Sequence, residues 1–262
     1  MRVLIMSSGG KDSSYAIWWA ILKGWDVAGI ITVRVKGPDS MMFQVPTTSL
    51  AGLQALSAGV PWLPVSVEGD EDSEMLQLES AIDGIINGSN KSRSTTWSKS
   101  DLEAANWPES WKWPEELDLL QPDLPIDAIV VGALRSDYQK TRIEQMCHRL
   151  GVLSFTPLWH HGPQQHMTDL IEHGFEMMIT SVTSDGLGKE WLGQIINAQN
   201  LHELISLSES YRFNIDGEGG EYETAVISAP WMGHRISTKY TTHWTGVRGW
   251  VDIWSAELEK IP

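Results

Sequence analysis

Val3-Leu4-Ile5-Met6, then Ser8-Gly9-Gly10-Lys11-Asp12-Ser13, is the stretch that decides the fold. A short apolar run precedes the glycines, and a helical pattern over residues 15–22 follows them. Strand, glycine turn and helix in that order make an anion pocket. Two successive glycines let the backbone fold tightly and bring its N–H groups up to a phosphate. The helix that starts there adds unpaired N–H donors and the positive end of its dipole. Lys11 supplies a point charge, and Ser8 and Ser13 supply hydroxyls. The spacing is neither that of the common NTPase loop, GxxxxGK[ST], nor of the dinucleotide GxGxxG. A bare Gly-Gly turn with a Ser/Asp helix cap is the simpler alternative. Six consecutive residues with a phosphate-binding rationale weigh against it, so the expectation is a site for nucleotide phosphate or pyrophosphate.

Working outward, strands are expected at 27–35, 62–67, 126–134 and 153–158, rich in β-branched and apolar residues. Helices are expected at 50–58, closed by Gly59, at 73–86, and at 136–150, closed by Gly151. Strands apolar on both faces, alternating with helices, predict an α/β fold with a parallel sheet covered on both sides. Ligands then belong at the carboxyl ends of the strands, where residues 8–13 lie. Between residues 87 and 125 the pattern lapses, and Trp97, Trp107, Trp111 and Trp113 stand in polar company. This reads as a long surface insertion, helical near 100–105, that elaborates the structure without carrying catalysis. After residue 160 the rhythm changes. Helices at 165–173, 190–198 and 201–211 and strands at 175–182, 223–228, 236–244 and 249–257 predict a smaller α+β domain. The division is therefore 1–160 and 161–262.

Composition narrows the classes. No apolar run approaches the ~20 residues that span a bilayer, and no charged leader precedes the first strand, which predicts a cytoplasmic protein. The single cysteine, Cys147, excludes an internal disulfide or a multi-cysteine metal site, and its apolar helical setting makes it a core residue. A net charge of −15 repels phosphate backbones, so nucleic acid is an unfavourable partner.

Two further segments stand out. Gly132-Ala133-Leu134-Arg135-Ser136-Asp137-Tyr138-Gln139 ends one strand and opens a helix. Ser136 or Asp137 is suited to cap that helix, and Asp137 to meet a metal or a cationic substrate. Asn214-Ile215-Asp216-Gly217-Glu218-Gly219-Gly220-Glu221-Tyr222-Glu223-Thr224 packs three glycines and four acids into one loop. Like charges that close repel unless a cation or hydrogen-bond donors sit among them.

The loop at 8–13 resembles the pyrophosphate loop, SGGxDS, of the N-type ATP pyrophosphatases. Taken in order with Met42-Phe43, Gly132 to Gln139, Pro157-Leu158-Trp159 and the complete GEGGEYET run at 217–224, it resembles the diphthine–ammonia ligases. That resemblance implies a HUP-type nucleotide domain joined to a smaller C-terminal domain. It implies ATP-dependent amidation of diphthine on elongation factor 2 by ammonium, with Mg²⁺, releasing AMP and pyrophosphate. Ser8, Gly9, Gly10, Lys11, Asp12 and Ser13 then bind ATP, with Asp12 open to either Mg²⁺ or helix capping. Lys11, Asp12 and Asp137 are the catalytic candidates. Ser136, Asp137, Gly217, Glu218, Gly219, Gly220, Glu221, Tyr222, Glu223 and Thr224 are the substrate candidates. Tyr222 with Glu221 or Glu223 is suited to the trimethylammonium group of diphthine. The chain departs from the family's usual MFHTPN in having Gln44 and Thr47. The competing expectations are another AMP-forming ligase of the same loop class, acting on tRNA or a small metabolite, and a non-catalytic ATP-binding sensor.

Overall fold

The computed structural model describes residues 1–36, 47–68, 71–88, 96–133 and 135–260. The Met42-Phe43 segment and its Gln44 lie outside the described residues. Five strands, β1 (Arg2–Met6), β2 (Asp26–Lys36), β3 (Trp62–Glu68), β4 (Ala128–Val131) and β5 (Leu153–Phe155), form a parallel sheet in the order β3-β2-β1-β4-β5. Helices α1 (Lys11–Leu22), α2 (Thr47–Ala58), α3 (Glu71–Ile86) and α5 (Asp137–Leu150) cross between them; the short α4 (Lys99–Ala105) precedes β4. Val3, Leu4, Ile5, Ile30, Ile31 and Ile129 are buried, as a sheet covered on both faces requires. The α/β expectation therefore holds. Pro157 has no N–H for a strand ladder, and β5 stops before it, shorter than its apolar run predicts.

The second half builds an antiparallel sheet from β6 (Glu176–Val182), β7 (Ile195–Ile196), β8 (Tyr222–Ser228), β9 (His234–Thr245) and β10 (Arg248–Lys260), with α6 (Pro163–Glu172) and α7 (Ala198–Tyr211) beside it. The helix expected at 190–198 does not form. A 3-10 turn at Lys189–Trp191 gives way to Gly193, whose φ of +81° breaks a right-handed helix and whose N–H donates to Ile179 O at 2.8 Å. Asn197 then caps α7 through a reciprocal bond with Asn200.

The two sheets share one buried apolar cluster that runs from Val3 and Ile17 to Ile179, Val226 and Ile253. The tryptophan-rich segment is part of it, which corrects the surface reading. Trp62 is fully buried and Trp111 nearly so; Trp107 meets both edge-on, Trp97 lies tilted on Trp62, and Trp113 packs edge-on against Trp97 and Trp107. Trp111 Nε1 donates to Ile253 O at 3.1 Å, tying the insertion to β10. Indole rings carry large apolar area and one donor, and here the polar neighbours in sequence turn outward while the rings turn in.

Candidate active site

Beyond β1 the chain turns through Gly9, at φ +85°, and enters α1 with Gly10 as its N-cap. No side chain caps this helix end, so Asp12 is not a cap; it sits in the first turn. The underside of the turn is held by α2 and by the second half of the chain. Gly9 O accepts from Val226 N at 3.0 Å and from Gln54 Nε2 at 2.9 Å. Thr224 Oγ1 accepts from Lys11 N at 3.3 Å. Ser7 Oγ donates to Ser13 Oγ at 3.1 Å, fixing a second hydroxyl at the floor. From the other side, Gly132 at the end of β4 presses against Asp12 and Ser13.

Two cavities meet over this turn. One, of about 500 Å³, lies beyond the carboxyl ends of the parallel strands, walled by Met6, Ile31, Val33, Val67, Val131 and Gly132 and by Tyr138, Gln139 and Arg142 of α5. The other, of about 210 Å³, is lined by Ser8, Gly10, Lys11, Asp12 and Ser13 on one side and Gly217, Glu218, Gly220, Tyr222, Glu223 and Thr224 on the other. Ser8, Asp12, Ser13 and Glu218 border both. Residues more than 200 positions apart thus converge on one small polar chamber.

Its electrostatics are divided. Burial alone raises the Asp12 carboxyl, but Lys11 Nζ, 2.8 Å from one oxygen, and His166 Nε2, 2.8 Å from the other, hold it below the usual 3.8. Glu218 goes the other way. Burial raises it, with Asp12 and Asp216 adding repulsion against the Arg135 N–H that it accepts at 3.2 Å. One consequence is measurable. A carboxyl whose folded value is depressed contributes stability that is present above its unfolded value and lost as pH falls through the folded one. Thermal melts between pH 5 and pH 2 are expected to show an extra acid loss in the wild type that Asp12→Asn lacks.

Not every expected residue reaches the chambers, or reaches them in the expected role. Asp137 is exposed and lines neither. Ser136 caps α5, its Oγ accepting from Gln139 N at 3.3 Å. Glu221 folds back on its own loop, accepting from Asn214 N at 2.8 Å and Asn214 Nδ2 at 3.0 Å. Tyr222 does not offer an aromatic face. Only 3% of it is exposed, and its hydroxyl donates to Ile215 O, so burial pushes that phenol far above its usual range and closes the ring to a quaternary ammonium. Cys147 is core, its thiol pushed up to about 11 by burial. Three residues outside the expected set complete the site: Arg135 and Asp216, paired across the loops, and His166 from α6. Nothing in the spacing of His166 separates it from a helix-face histidine.

The chain matches the diphthamide synthase N-terminal domain over residues 1–91 and 108–154, and the diphthamide synthase C-terminal domain over residues 162–258. It belongs to the diphthamide synthase family. Membership makes it an enzyme of the ligase class. Diphthine–ammonia ligases of Homo sapiens and Danio rerio are 27% and 26% identical to it, across 90% of this chain and 82% and 86% of their own lengths. The Schizosaccharomyces pombe diphthine–ammonia ligase is 26% identical over 90% of this chain, which spans 36% of that longer protein. A solved structure described as a predicted subunit of a tRNA methyltransferase from Methanocaldococcus jannaschii covers 88% of this chain and 98% of its own. Its 12% identity and TM-score of 0.36 bear no functional weight. The residues left between the two N-terminal stretches, 92–107, fall in the tryptophan-rich insertion. Among the described residues no helix is long and apolar enough to cross a membrane.

Proposed function

We propose that the protein joins ammonia to the carboxylate of diphthine on elongation factor 2, consuming ATP and releasing AMP and pyrophosphate. The observation that carries this reading is the 210 Å³ chamber in which the 8–13 turn faces the 217–224 loop. A phosphate-gripping turn on one wall and a donor- and acid-rich loop on the other suit a reaction between a triphosphate and a second substrate.

A carboxylate does not condense with ammonia in water because oxide is a poor leaving group. Attack by a diphthine carboxylate oxygen on the α-phosphorus breaks the bond to the bridging oxygen, and pyrophosphate departs. Ammonia then attacks the carbonyl carbon, AMP leaves with the former carboxylate oxygen, and the nitrogen loses a proton. The protein's share is positioning and electrostatics. The α1 N-terminus, the Ser8 and Ser13 hydroxyls and Lys11 Nζ hold the phosphates, and the larger cavity takes the nucleoside. Lys11 is 5% exposed, so its charge acts where water screens little. Among the described residues no three His, Cys, Asp or Glu side chains form a metal cage. Mg²⁺ commonly rests on one or two carboxylates with phosphate oxygens and water. Asp12 and Glu218, which border both cavities, fit that role, and the ion would neutralise the departing pyrophosphate. Residues 1–160 form the nucleotide half and 161–262 the substrate half, and the cytoplasm, where elongation factor 2 works, is the compartment this reading places it in.

The test is product analysis. The protein is incubated with ATP, Mg²⁺, ammonium and diphthine-bearing elongation factor 2. The expected products are AMP and pyrophosphate, formed only when the factor is present, with the factor's mass changed by amidation. ADP as product, or AMP formed without the factor, would overturn the reading.

A further inference from the structure

His166 lies in the first turns of α6, on the substrate half, yet its side chain is fully buried against the nucleotide turn. Its Nε2 stands 2.8 Å from Asp12 Oδ1, while Lys11 Nζ stands 2.8 Å from Oδ2. An ionised carboxylate only accepts, so Nε2 carries a hydrogen and donates it. The ring is locked in place. Tyr15 of α1 meets it edge-on at 5.3 Å and His161 lies 5.6 Å away, while the backbone N–H of His166 donates to Gly162 O at 2.9 Å. Nδ1 has no hydrogen-bond partner among the described residues, so the one polar contact of this buried ring is the one to Asp12.

Asp12 borders both cavities, and a carboxylate there is useful only if it points one way. With Lys11 alone it is held at one oxygen and is free to rotate about its Cα–Cβ bond, so its charge has no fixed direction relative to the two cavities it borders. Two donors from opposite halves of the chain remove that freedom. We propose that His166 is a positioning residue that fixes the Asp12 carboxylate, and through it Lys11 Nζ, for the reaction at the nucleotide phosphates. The proposal rests on the adenylating reading given above. It also makes closure of the two halves a condition of a competent phosphate turn, because α6 must be docked for Asp12 to be held.

The experiment compares His166→Leu, which keeps most of the volume without a donor, with His166→Gln, whose amide restores one. Orienting partners of this kind are worth about 10- to 100-fold in activity. His166→Leu is expected to lose kcat by that factor with KM for ATP changed by no more than about twofold, and His166→Gln to recover most of it. In an Asp12→Ala background, where no acceptor is left for Nε2, His166→Leu is expected to add less than about a twofold loss, since the two residues act as a unit. Equal loss in Leu and Gln, or losses that multiply in the double variant, would overturn the proposal. A second measurement stands apart from catalysis. In wild-type protein, ¹H–¹⁵N correlation of the imidazole is expected to show a slowly exchanging hydrogen at Nε2 whose exchange quickens in Asp12→Ala. A hydrogen at Nδ1 instead, or no change in the variant, refutes the contact even if every variant is too unstable to assay. Conversely, a wild type that makes no AMP with the factor while showing that Nε2 signal refutes the adenylating reading and leaves the contact standing.

Discussion

Gly132→Ala is expected to lower kcat/KM for AMP formation by about 100-fold, although it adds a single methyl group. A Cβ at residue 132 would stand 2.6 Å from both Asp12 C and Asp12 O and 2.7 Å from Ser13 N. Ordinary contact begins at 3.4 Å, so the two segments must part by nearly 1 Å. All three atoms are backbone in the first turn of α1, and no rotamer change relieves them. The displacement falls on the phosphate turn itself, and misplacing a catalytic group by about 1 Å costs on the order of 10²-fold. The overpacking should also cost about 1–3 kcal/mol of stability. Gly162→Ala is the control, for its Cβ would meet only Gln165 Cβ at an ordinary 3.8 Å. Steady-state assays with thermal melts on both variants check this. A Gly132→Ala enzyme with near-normal kcat/KM would show that the turn is not held rigidly by β4.

That close approach explains why the sequence was so readable at its beginning and less so elsewhere. The first strand, the glycine turn and α1 follow from local chemistry: apolar run, φ-permissive residues, helix period. The β-strands of the parallel sheet carry the same local signal, since both their faces are buried. Residues 190–198 show where the signal fails. Their apolar spacing suits a helix, but Gly193 takes a positive φ and its N–H pairs with β6, a contact supplied by the fold rather than by its neighbours in sequence. The tryptophan-rich insertion misleads for the same reason. Trp111 finds its partner, Ile253 O, 142 residues away, and polar neighbours hide that destination.

The site divides along the same line. Ser8 to Ser13 and Gly217 to Thr224 could be marked as functional because glycines and charges together make poor core and costly surface. Which side chain in a marked loop faces the chamber is a different matter, set by packing. Glu221 turns inward to build the loop and Tyr222, though it borders the chamber, ties its hydroxyl to Ile215 O, whereas Glu218 and Glu223 turn to the chamber. Asp137, adjacent to a true cap, is exposed and lines neither cavity, a placement its neighbours in sequence do not reveal. His166 carries no local mark at all, and Arg135 and Asp216 lie in marked segments without being singled out; each matters because of what the opposite half of the chain brings to it.

Arg135 and Asp216 give the second large effect, and its asymmetry is the informative part. Asp216 has no exposed side-chain surface, while the Arg135 side chain is 28% exposed. The guanidinium Nη2 bonds Asp216 Oδ2, Nη1 reaches His161 O at 3.5 Å, and the backbone N–H of Arg135 donates to Glu218. Removing one partner of a buried pair costs about 3–5 kcal/mol when the charge left behind has nowhere to go. Arg135→Met leaves such a charge, because among the described residues Asp216 then keeps only the Glu218 N–H, a long contact at 3.4 Å. Asp216→Asn leaves a guanidinium with an open path to water, so its cost should be smaller, about 1–3 kcal/mol. Chemical denaturation of both variants and of the double variant checks the order. The double variant is expected to be more stable than Arg135→Met alone, since it has no buried carboxylate to strand. Catalysis should follow a different order. The pair links the loop after β4 to the 217–224 loop, so either single variant loosens Glu218, and both should raise KM for the second substrate more than KM for ATP. Equal destabilisation by the two single variants would mean that Asp216 reaches water once Arg135 is gone, and that the buried ion pair is not what holds the chamber wall.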